Sequence, residues 1–246
     1  MAATTTSLVT WIAHAATRID TPAGKAIYID PWLRENPACP DGMKRPRQVD
    51  VILLTHGHFD HLGDTLELAR LHHPTIVCNH EISVWLAAKG VENVIGMNKG
   101  GTVEVAGVRV TMVGADHSSG IQDGDELVYG GEPAGFVLTL PDGFKVYHAG
   151  DTNVFGDMRI VGELYRPDLA LLPIGGHYVM SPTEAAYAAR LLGIVRVIPI
   201  HYGTFPILAG TPAQLREALA ALSPPGPPVE VLDLPRGGTW GGGGRS

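Results

Sequence analysis

The stretch Thr55-His56-Gly57-His58-Phe59-Asp60-His61 places three imidazoles and a carboxylate in six consecutive positions. It directly follows the apolar run Val49 to Leu54, which predicts that a strand ends where the polar side chains begin. Residues two apart on an extended chain point the same way, so the first two histidines can bind one metal ion. A turn at Asp60 and His61 would direct those two side chains at a neighbouring ion. The spacing therefore predicts two adjacent metals.

Three further candidate ligands, His117, Asp151 and His201, each follow another apolar run shortly after it ends. Loops at strand ends are where a rigid scaffold holds functional groups in register. Imidazole with carboxylate suits Zn, Fe or Mn, and Zn is our preferred choice. The predicted assignment places His56, His58 and His117 on one ion, Asp60, His61 and His201 on the other, and Asp151 as a bridge.

This ligand set predicts a definite chemistry. Two metals about 3.5–4 Å apart can share a hydroxide of lowered pKa and present it to a substrate as the nucleophile. The two cysteines, Cys39 and Cys78, form no CxxC pair and lie apart from the motif, so neither a thiolate site nor a disulfide framework is expected.

The strand and helix signals predict stacked sheets with helices outside them, in a single domain over residues 1–240. Apolar, β-branched runs predict strands at Leu8–Ala13, Ala26–Asp30, Val49–Leu54, Thr75–Cys78, Val103–Val105, Val108–Val113, Gly135–Leu140, Phe144–His148, Asp168–Leu172, Val195–Ile200 and Val229–Leu232. Helical periodicity predicts helices at Thr65–His72, Glu81–Lys89, Met158–Tyr165, Thr183–Leu192 and Pro212–Leu222. Residues 241–246 are expected to be a flexible C-terminal linker or a cloning remnant.

Composition narrows the class of protein. A formal net charge of −7 over 246 residues lacks the basic footprint of a nucleic-acid binder. The N-terminus carries no secretory signal and no apolar run of about 18 residues could span a bilayer. We expect a cytoplasmic protein whose partners are a small-molecule substrate and, in a homo-oligomer, copies of itself. Neither nucleic acid nor a membrane is expected as a partner.

The series His56-Gly57-His58-Phe59-Asp60-His61, His117, Asp151 and His201 resembles the HxHxDH, His, Asp, His series of the metallo-β-lactamase superfamily. More narrowly, the chain resembles cytosolic metal-dependent hydrolases related to ascorbate-6-phosphate lactonase. The segments that carry this narrower resemblance are Ala115–Ser119, Tyr129–Glu132, Tyr147–Thr152 and Pro199–Thr204. The resemblance covers about Leu8 to Asp233 and implies a four-layer αββα sandwich with a dinuclear site at one edge.

The expected function is a metal-dependent hydrolase whose bridging hydroxide attacks an ester, lactone, thioester or amide-like bond. Asp60 would position the nucleophile while binding metal, and His177 or a metal-bound water would protonate the leaving group. An ordinary loop histidine is the alternative for His177. A phosphodiesterase acting on a small nucleotide and a mononuclear iron oxidoreductase of the persulfide dioxygenase type are the alternative functions.

Three other features bear on the site. Asp30 is expected to accept a hydrogen bond and orient a metal-bound histidine, with a simple Asp-Pro turn as the alternative. His14, after the first strand, fits either a place near the site or a structural role. The segment 118–134 carries four carboxylates and no Lys or Arg, so we expect an acidic mouth and a neutral or cationic substrate.

Overall fold

The computed structural model describes residues 6–224 and 226–241. Its first sheet has seven strands in the order β16-β1-β2-β3-β4-β5-β6. Their bounds are Leu8–Ala13 (β1), Ala16–Asp20 (β2), Ala26–Ile29 (β3), Val51–Leu53 (β4), Thr75–Asn79 (β5), Val94–Met97 (β6) and Gly238–Gly241 (β16). β1 pairs antiparallel with β2 and β16, whereas β3 to β6 run parallel to one another.

The second sheet also has seven strands, in the order β15-β14-β13-β12-β11-β8-β7. Their bounds are Thr102–Val105 (β7), Val108–Gly114 (β8), Ala134–Thr139 (β11), Lys145–His148 (β12), Leu169–Pro173 (β13), Arg196–Ile200 (β14) and Glu230–Val231 (β15). β12 to β15 are parallel. A separate hairpin joins β9, Gly120–Asp123, to β10, Glu126–Tyr129.

Helices cover the outer face of each sheet. Those beside the first sheet are α1, Phe59–Leu62, α2, Thr65–His72, and α3, His80–Ala88; those beside the second are α4, Met158–Tyr165, α5, Pro182–Leu192, and α6, Pro212–Ala221. Successive side chains of a strand point to opposite faces of the sheet, so one set packs between the two sheets and the other set packs under the helices. In β3, Ile27 and Ile29 pack between the sheets, while Ala26 and Tyr28 face the helices. The four-layer αββα sandwich is therefore confirmed.

Strand direction explains why the candidate ligands meet. In the first sheet β1, β3 and β4 run the same way, because β2 is antiparallel to both β1 and β3. In the second sheet β8, β12, β13 and β14 share one direction, because β11 is antiparallel to both β8 and β12. The carboxyl ends of all these strands consequently gather at one edge of the sandwich.

Sequence and structure agree on all eleven expected strands and five expected helices, with end shifts of one or two residues. β2, β6, β9, β10, β16 and α1 were not expected. Gly241 ends β16 and pairs with Leu8, so it is not part of a linker. Residues 242–246 lie outside the described part, where the linker stays a prediction. Both cysteines are buried and free, and none of the described helices is long and apolar enough to cross a bilayer.

Candidate active site

Two groups of side chains meet at this edge of the sandwich. The first, which we call the histidine trio, consists of His56, His58 and His117. The second, the carboxylate side, consists of His14, Asp60, His61 and His201. Within each group, one potential ligand atom per residue lies within 4.8 Å of the corresponding atoms of the others. The structure thus brings together all the side chains that the sequence nominates as ligands, and adds His14.

Asp151 lies between the two groups. Its Oδ2 is 3.2 Å from His61 Nε2, 3.0 Å from His201 Nε2 and 3.7 Å from His117 Nε2. His61 and His201 belong to the carboxylate side and His117 to the trio. This one carboxylate can therefore reach both groups, which fits the predicted bridging position.

The histidine trio is held by hydroxyl groups and by a close approach of backbone. Thr55 Oγ1 donates its proton to Asp30, so it acts as the acceptor for His56 Nδ1, which lies 3.0 Å away. The other ring nitrogen of His56, Nε2, faces His58 Nδ1 at 2.9 Å. Gly57 N–H donates to Ser119 Oγ at 3.0 Å. A Cβ at Gly57 would lie 2.7 Å from Ile121 Cγ1, so glycine is required between the first two histidines of the motif.

Asp30 orients His61, as the sequence predicts. Its Oδ2 accepts a hydrogen bond from His61 Nδ1 at 2.7 Å, and its Oδ1 accepts from Thr55 N–H at 2.9 Å. The side chains of Asp30 and His61 are both fully buried. Because Nδ1 donates to Asp30, Nε2 is the ring nitrogen of His61 that faces Asp151 and that would bind a metal.

His14 is the site residue whose role the sequence left open. Its Nε2 donates to Asp60 Oδ2 at 2.9 Å, and its Nδ1 accepts from Thr204 Oγ1 at 3.0 Å. Its carbonyl oxygen accepts the His201 N–H at 2.9 Å, and the two imidazole centroids are 3.8 Å apart. His14 thus fixes the carboxylate of Asp60 and the backbone of His201 together. No local sequence signal could have revealed this contact.

Unsatisfied buried atoms show that the site suits a metal. Among the described residues, His61 Nε2, His201 Nε2 and Asp151 Oδ1 are buried and make no well-aligned hydrogen bond, although both nitrogens lie close to Asp151 Oδ2. Buried polar groups without partners are costly, and imidazole nitrogen with carboxylate oxygen is the donor set of Zn, Mn or Fe sites. A divalent ion bound by these atoms would remove that cost.

The charges in the site are strongly coupled. Burial lowers the pKa of His61, but the carboxylates of Asp151, Asp30 and Asp60 outweigh it and raise the pKa well above its ordinary value. Burial alone would raise the pKa of Asp151, yet His201 and His61 hold it well below. Burial and the nearby His61 lower the pKa of His56 well below its ordinary value. The carboxylates stay ionised and the trio stays neutral, which are the forms that bind metal.

Two other histidines have different positions. His148 is buried, donates from Nε2 to Ala15 O at 3.1 Å and accepts Gly150 N–H at Nδ1, so it shapes the turn before Asp151. His177 is exposed and packs against the ring of Tyr178. Tyr178, rather than His177, lines the cavity above the ligands. Leaving-group protonation by His177 stays a prediction.

That cavity has a volume of about 550 Å³. Its described lining combines ligand candidates with apolar side chains: His14, His58, Phe59, Asp60, His117, Ser118, Asp151, Tyr178, His201, Phe205, Ile207 and Leu208. His56 and His61 lie beneath this surface, fully buried. The open space therefore faces ligands from both groups.

The expected acidic mouth is wrong. Of the segment 118–134, Ser118 alone lines the cavity among the described residues. Asp123 instead accepts hydrogen bonds from Trp85 and Lys89, and Glu132 accepts one from Lys99. Two of the four carboxylates of this segment thus pair with lysines elsewhere in the fold, and none of the four lines the cavity.

Comparison with known proteins gives one family. The family model described as a β-lactamase superfamily domain matches residues 25–202. A UPF0173 metal-dependent hydrolase of Koribacter versatilis is 51% identical over 232 residues, covering 94% of this chain and 97% of that protein. A UPF0173 metal-dependent hydrolase of Rubrobacter xylanophilus is 56% identical over 207 residues, covering 84% and 86%.

Solved structures agree with these relatives. Igni18, described as a novel metallo hydrolase from the hyperthermophilic archaeon Ignicoccus hospitalis, superposes with a TM-score of 0.84. It is 35% identical to this chain, and the match covers 98% of this chain and all of Igni18. The narrower resemblance to ascorbate-6-phosphate lactonase stays a prediction.

Proposed function

The chain belongs to the β-lactamase superfamily as a metal-dependent hydrolase of the UPF0173 family, and on that premise we propose that its site holds two divalent ions, preferably Zn. The substrate would be a small molecule with an ester, lactone, thioester or amide-like bond. The observation that carries the proposal is the convergence of two ligand groups on one carboxylate, Asp151.

The residues that would hold the ions are those of the two groups. His56, His58 and His117 offer three neutral imidazoles for one ion, while Asp60, His61 and His201 offer two imidazoles and a carboxylate for the other. Asp151 would contact both. Two divalent ions bound there would lower the pKa of a shared water and polarise the bond under attack.

The chain's own residues supply orientation and exclusion. Asp30 holds His61 in one tautomer, and His14 holds Asp60 through Oδ2, which leaves Oδ1 for a ligand role. Asp60 lines the cavity beside His201, where it can accept a hydrogen bond from the attacking water and position it. A substrate seated against the apolar side chains around the cavity would displace water there, which would strengthen electrostatic interactions inside.

The lining also bears on the alternative functions. Among the described residues around the cavity there is no Lys or Arg, the side chains that ordinarily bind phosphate. This composition disfavours the small-nucleotide phosphodiesterase. A mononuclear iron oxidoreductase would leave one of the two ligand groups without an ion.

The test is metal analysis of protein purified without chelator, followed by assays on ester, lactone, thioester and phosphodiester substrates. We expect two Zn per chain and hydrolysis that His58→Ala and Asp60→Ala each abolish. The matched control is Asp125→Asn, an exposed carboxylate on the β9–β10 hairpin, which should retain full metal content. One iron per chain with consumption of oxygen would contradict the proposal.

A further inference from the structure

The cavity above the ligands has an unusual surface for a site that handles a polar bond. Five of its described lining residues form a continuous set that we call the apolar rim: Phe59, Tyr178, Phe205, Ile207 and Leu208. Phe59, Tyr178 and Ile207 are 62%, 60% and 47% exposed. Large apolar side chains left in water at one cavity indicate that something apolar covers them in use.

The rim is built from three separate segments. Phe59 begins α1 inside the metal motif, Tyr178 lies in the loop after β13, and the other three residues lie in the loop after β14. Each segment also carries or adjoins a candidate ligand or the predicted proton donor. A group seated on the rim would consequently lie directly beside the reacting bond.

The aromatic part of the rim is fixed in place. The buried ring of Trp32 packs edge-on against Phe59, with centroids 5.6 Å apart, and stacks on Phe205 at 6.0 Å. Phe205 also contacts the imidazole of His14, at 6.1 Å between centroids. These contacts hold the two phenyl rings before any ligand arrives, which reduces the entropy lost on binding.

The backbone of the last loop is fixed as well. Gly203 N–H donates to Leu208 O at 2.9 Å, and Leu208 N–H donates to Phe205 O at 3.0 Å. Gly210 N–H donates to Gly175 O at 3.3 Å, which links this loop to the loop of Tyr178. The rim is therefore a formed surface with two of its loops connected.

The charged side chains that line the cavity bear on which substrates can bind. The described lining holds two carboxylates, Asp60 and Asp151, and both belong to the ligand groups. Arg236 lies beside the loop that follows β14, where its guanidinium donates a hydrogen bond to Gly203 O, but it does not line the cavity. A phosphate or carboxylate on the substrate, remote from the reacting bond, would find no Lys or Arg among the described residues that line this cavity.

We propose that the apolar rim binds the hydrocarbon part of an uncharged substrate, a medium-length alkyl chain or an aromatic ring attached to the bond that is hydrolysed. This inference rests on the proposed hydrolase function and specifies its substrate class. A volume of about 550 Å³ is within the range of small-molecule sites and accommodates such a group together with the reacting centre.

The first experiment compares p-nitrophenyl acetate, p-nitrophenyl hexanoate and the mono-p-nitrophenyl ester of adipic acid on zinc-loaded protein. Adipate has the same chain length as hexanoate but ends in a carboxylate. We expect kcat/KM to rise roughly 15- to 250-fold from acetate to hexanoate, since each of the four added methylenes, when buried, contributes roughly two- to fourfold. The adipate ester should lose most of that gain.

Ile207→Ser and Tyr178→Ser test the rim itself. Each should lower kcat/KM for hexanoate by roughly tenfold and kcat/KM for acetate by a smaller factor, because acetate has no hydrocarbon chain to lie on the rim. The matched control is Leu164→Ser on α4, which removes a leucine that is 65% exposed and lies outside the cavity lining. Equal behaviour of the rim variants and the control would overturn the inference.

A second readout needs no turnover. N-Phenyl-1-naphthylamine is uncharged and fluoresces more strongly in apolar sites, so its binding can be measured on metal-free and zinc-loaded protein. We expect binding that both rim variants weaken and Leu164→Ser preserves. If the probe binds as expected but no ester is hydrolysed, the proposed function is wrong and the rim is still supported as an apolar binding surface. If esters are hydrolysed without preference for hexanoate over adipate, the rim inference fails and the function stands.

Discussion

The histidine trio and the carboxylate side lie at the same edge of the sandwich, but different contacts hold them in place. Hydroxyls of Thr55 and Ser118 contact the trio, and His117 keeps 14% of its side chain exposed. The carboxylate side is anchored by the fully buried Asp30 and His14 and by the partly buried Thr204.

Backbone conformation shows the same contrast. His14, Asp30 and His201 all have positive φ, between 50° and 56°, which is uncommon for residues other than glycine. No residue of the trio does. Strain of this kind persists only where the surroundings impose it. The comparison teaches that the carboxylate side is the more tightly set of the two groups, by packing and hydrogen bonds, and that the trio is the more exposed.

Removing the shared ligand should have the largest effect. In Asp151→Asn both groups lose the charge that they share, so we expect kcat/KM to fall on the order of 10³-fold. Metal content should fall from two ions to one or none, measured by elemental analysis. Asp125→Asn is the control. Retention of both ions with full activity would show that the two groups act without Asp151.

The next largest effect expected is a difference in stability between substitutions in the two groups. His61→Asn leaves Asp30 buried without its ion-pair partner, so the free energy of unfolding of metal-free protein should fall by about 3–5 kcal/mol. His117→Asn, at a partly exposed position, should cost less than about 1 kcal/mol. Urea unfolding measures both. Equal losses would mean that the carboxylate side is no more firmly built than the trio.

His14 should affect one ion more than the other. Without its hydrogen bond to Asp60, His14→Ala should weaken metal binding on the carboxylate side roughly 10- to 100-fold, measured by chelator competition. The amide of His14→Gln can donate to Asp60 and should restore part of that affinity. Equal weakening of both ions in His14→Ala would argue for a general structural role.

The two groups should also differ in the pH dependence of metal-free protein. Burial lowers the pKa of His14 to about 4 and also lowers those of His56, His58, His117 and His148. Their folded forms stay neutral while the unfolded chain takes up protons, so stability falls as pH drops below about 6.5. Each such proton contributes about 1.4 kcal/mol per pH unit.

His61 should behave in the opposite sense, because its pKa is raised in the folded protein. Its contribution is fully present below about pH 6.5 and is lost as pH rises through the folded value. Urea unfolding at pH 7.5, 6.5 and 5.5 measures both sides. We expect His117→Asn to reduce the loss below pH 6.5 and His61→Asn to remove the loss above it. A wild-type protein that gains stability from pH 6.5 to 5.5 would contradict this account.

Local patterns predicted much of the fold. The expected bounds of α2 and α4 are those observed, since apolar positions recur there at helical spacing. β16 was missed because its sequence, Gly-Thr-Trp-Gly, has weak strand propensity, and pairing with β1 supplies what propensity does not. β6, which contains Gly96, was missed for a similar reason.

The site was predictable where a ligand follows its own strand, and not where a role depends on distant chain segments. His14 meets Asp60 and Thr204 only through the stacking of two sheets. The acidic segment was misjudged because Lys89 and Lys99, which pair with two of its carboxylates, come from elsewhere in the chain. The number of carboxylates in a segment does not show which way their side chains point in the fold.

The position of β1 between β2 and β16 has a consequence for biosynthesis. The chain's last described strand pairs with the strand that delivers His14, and His201 hydrogen-bonds to His14 from the second sheet. During translation the three residues of the trio have all been synthesised once residue 117 has emerged, whereas the carboxylate side awaits His201, and β1 awaits its partner β16. The last residues to be synthesised thus complete the side of the site that is the more firmly held.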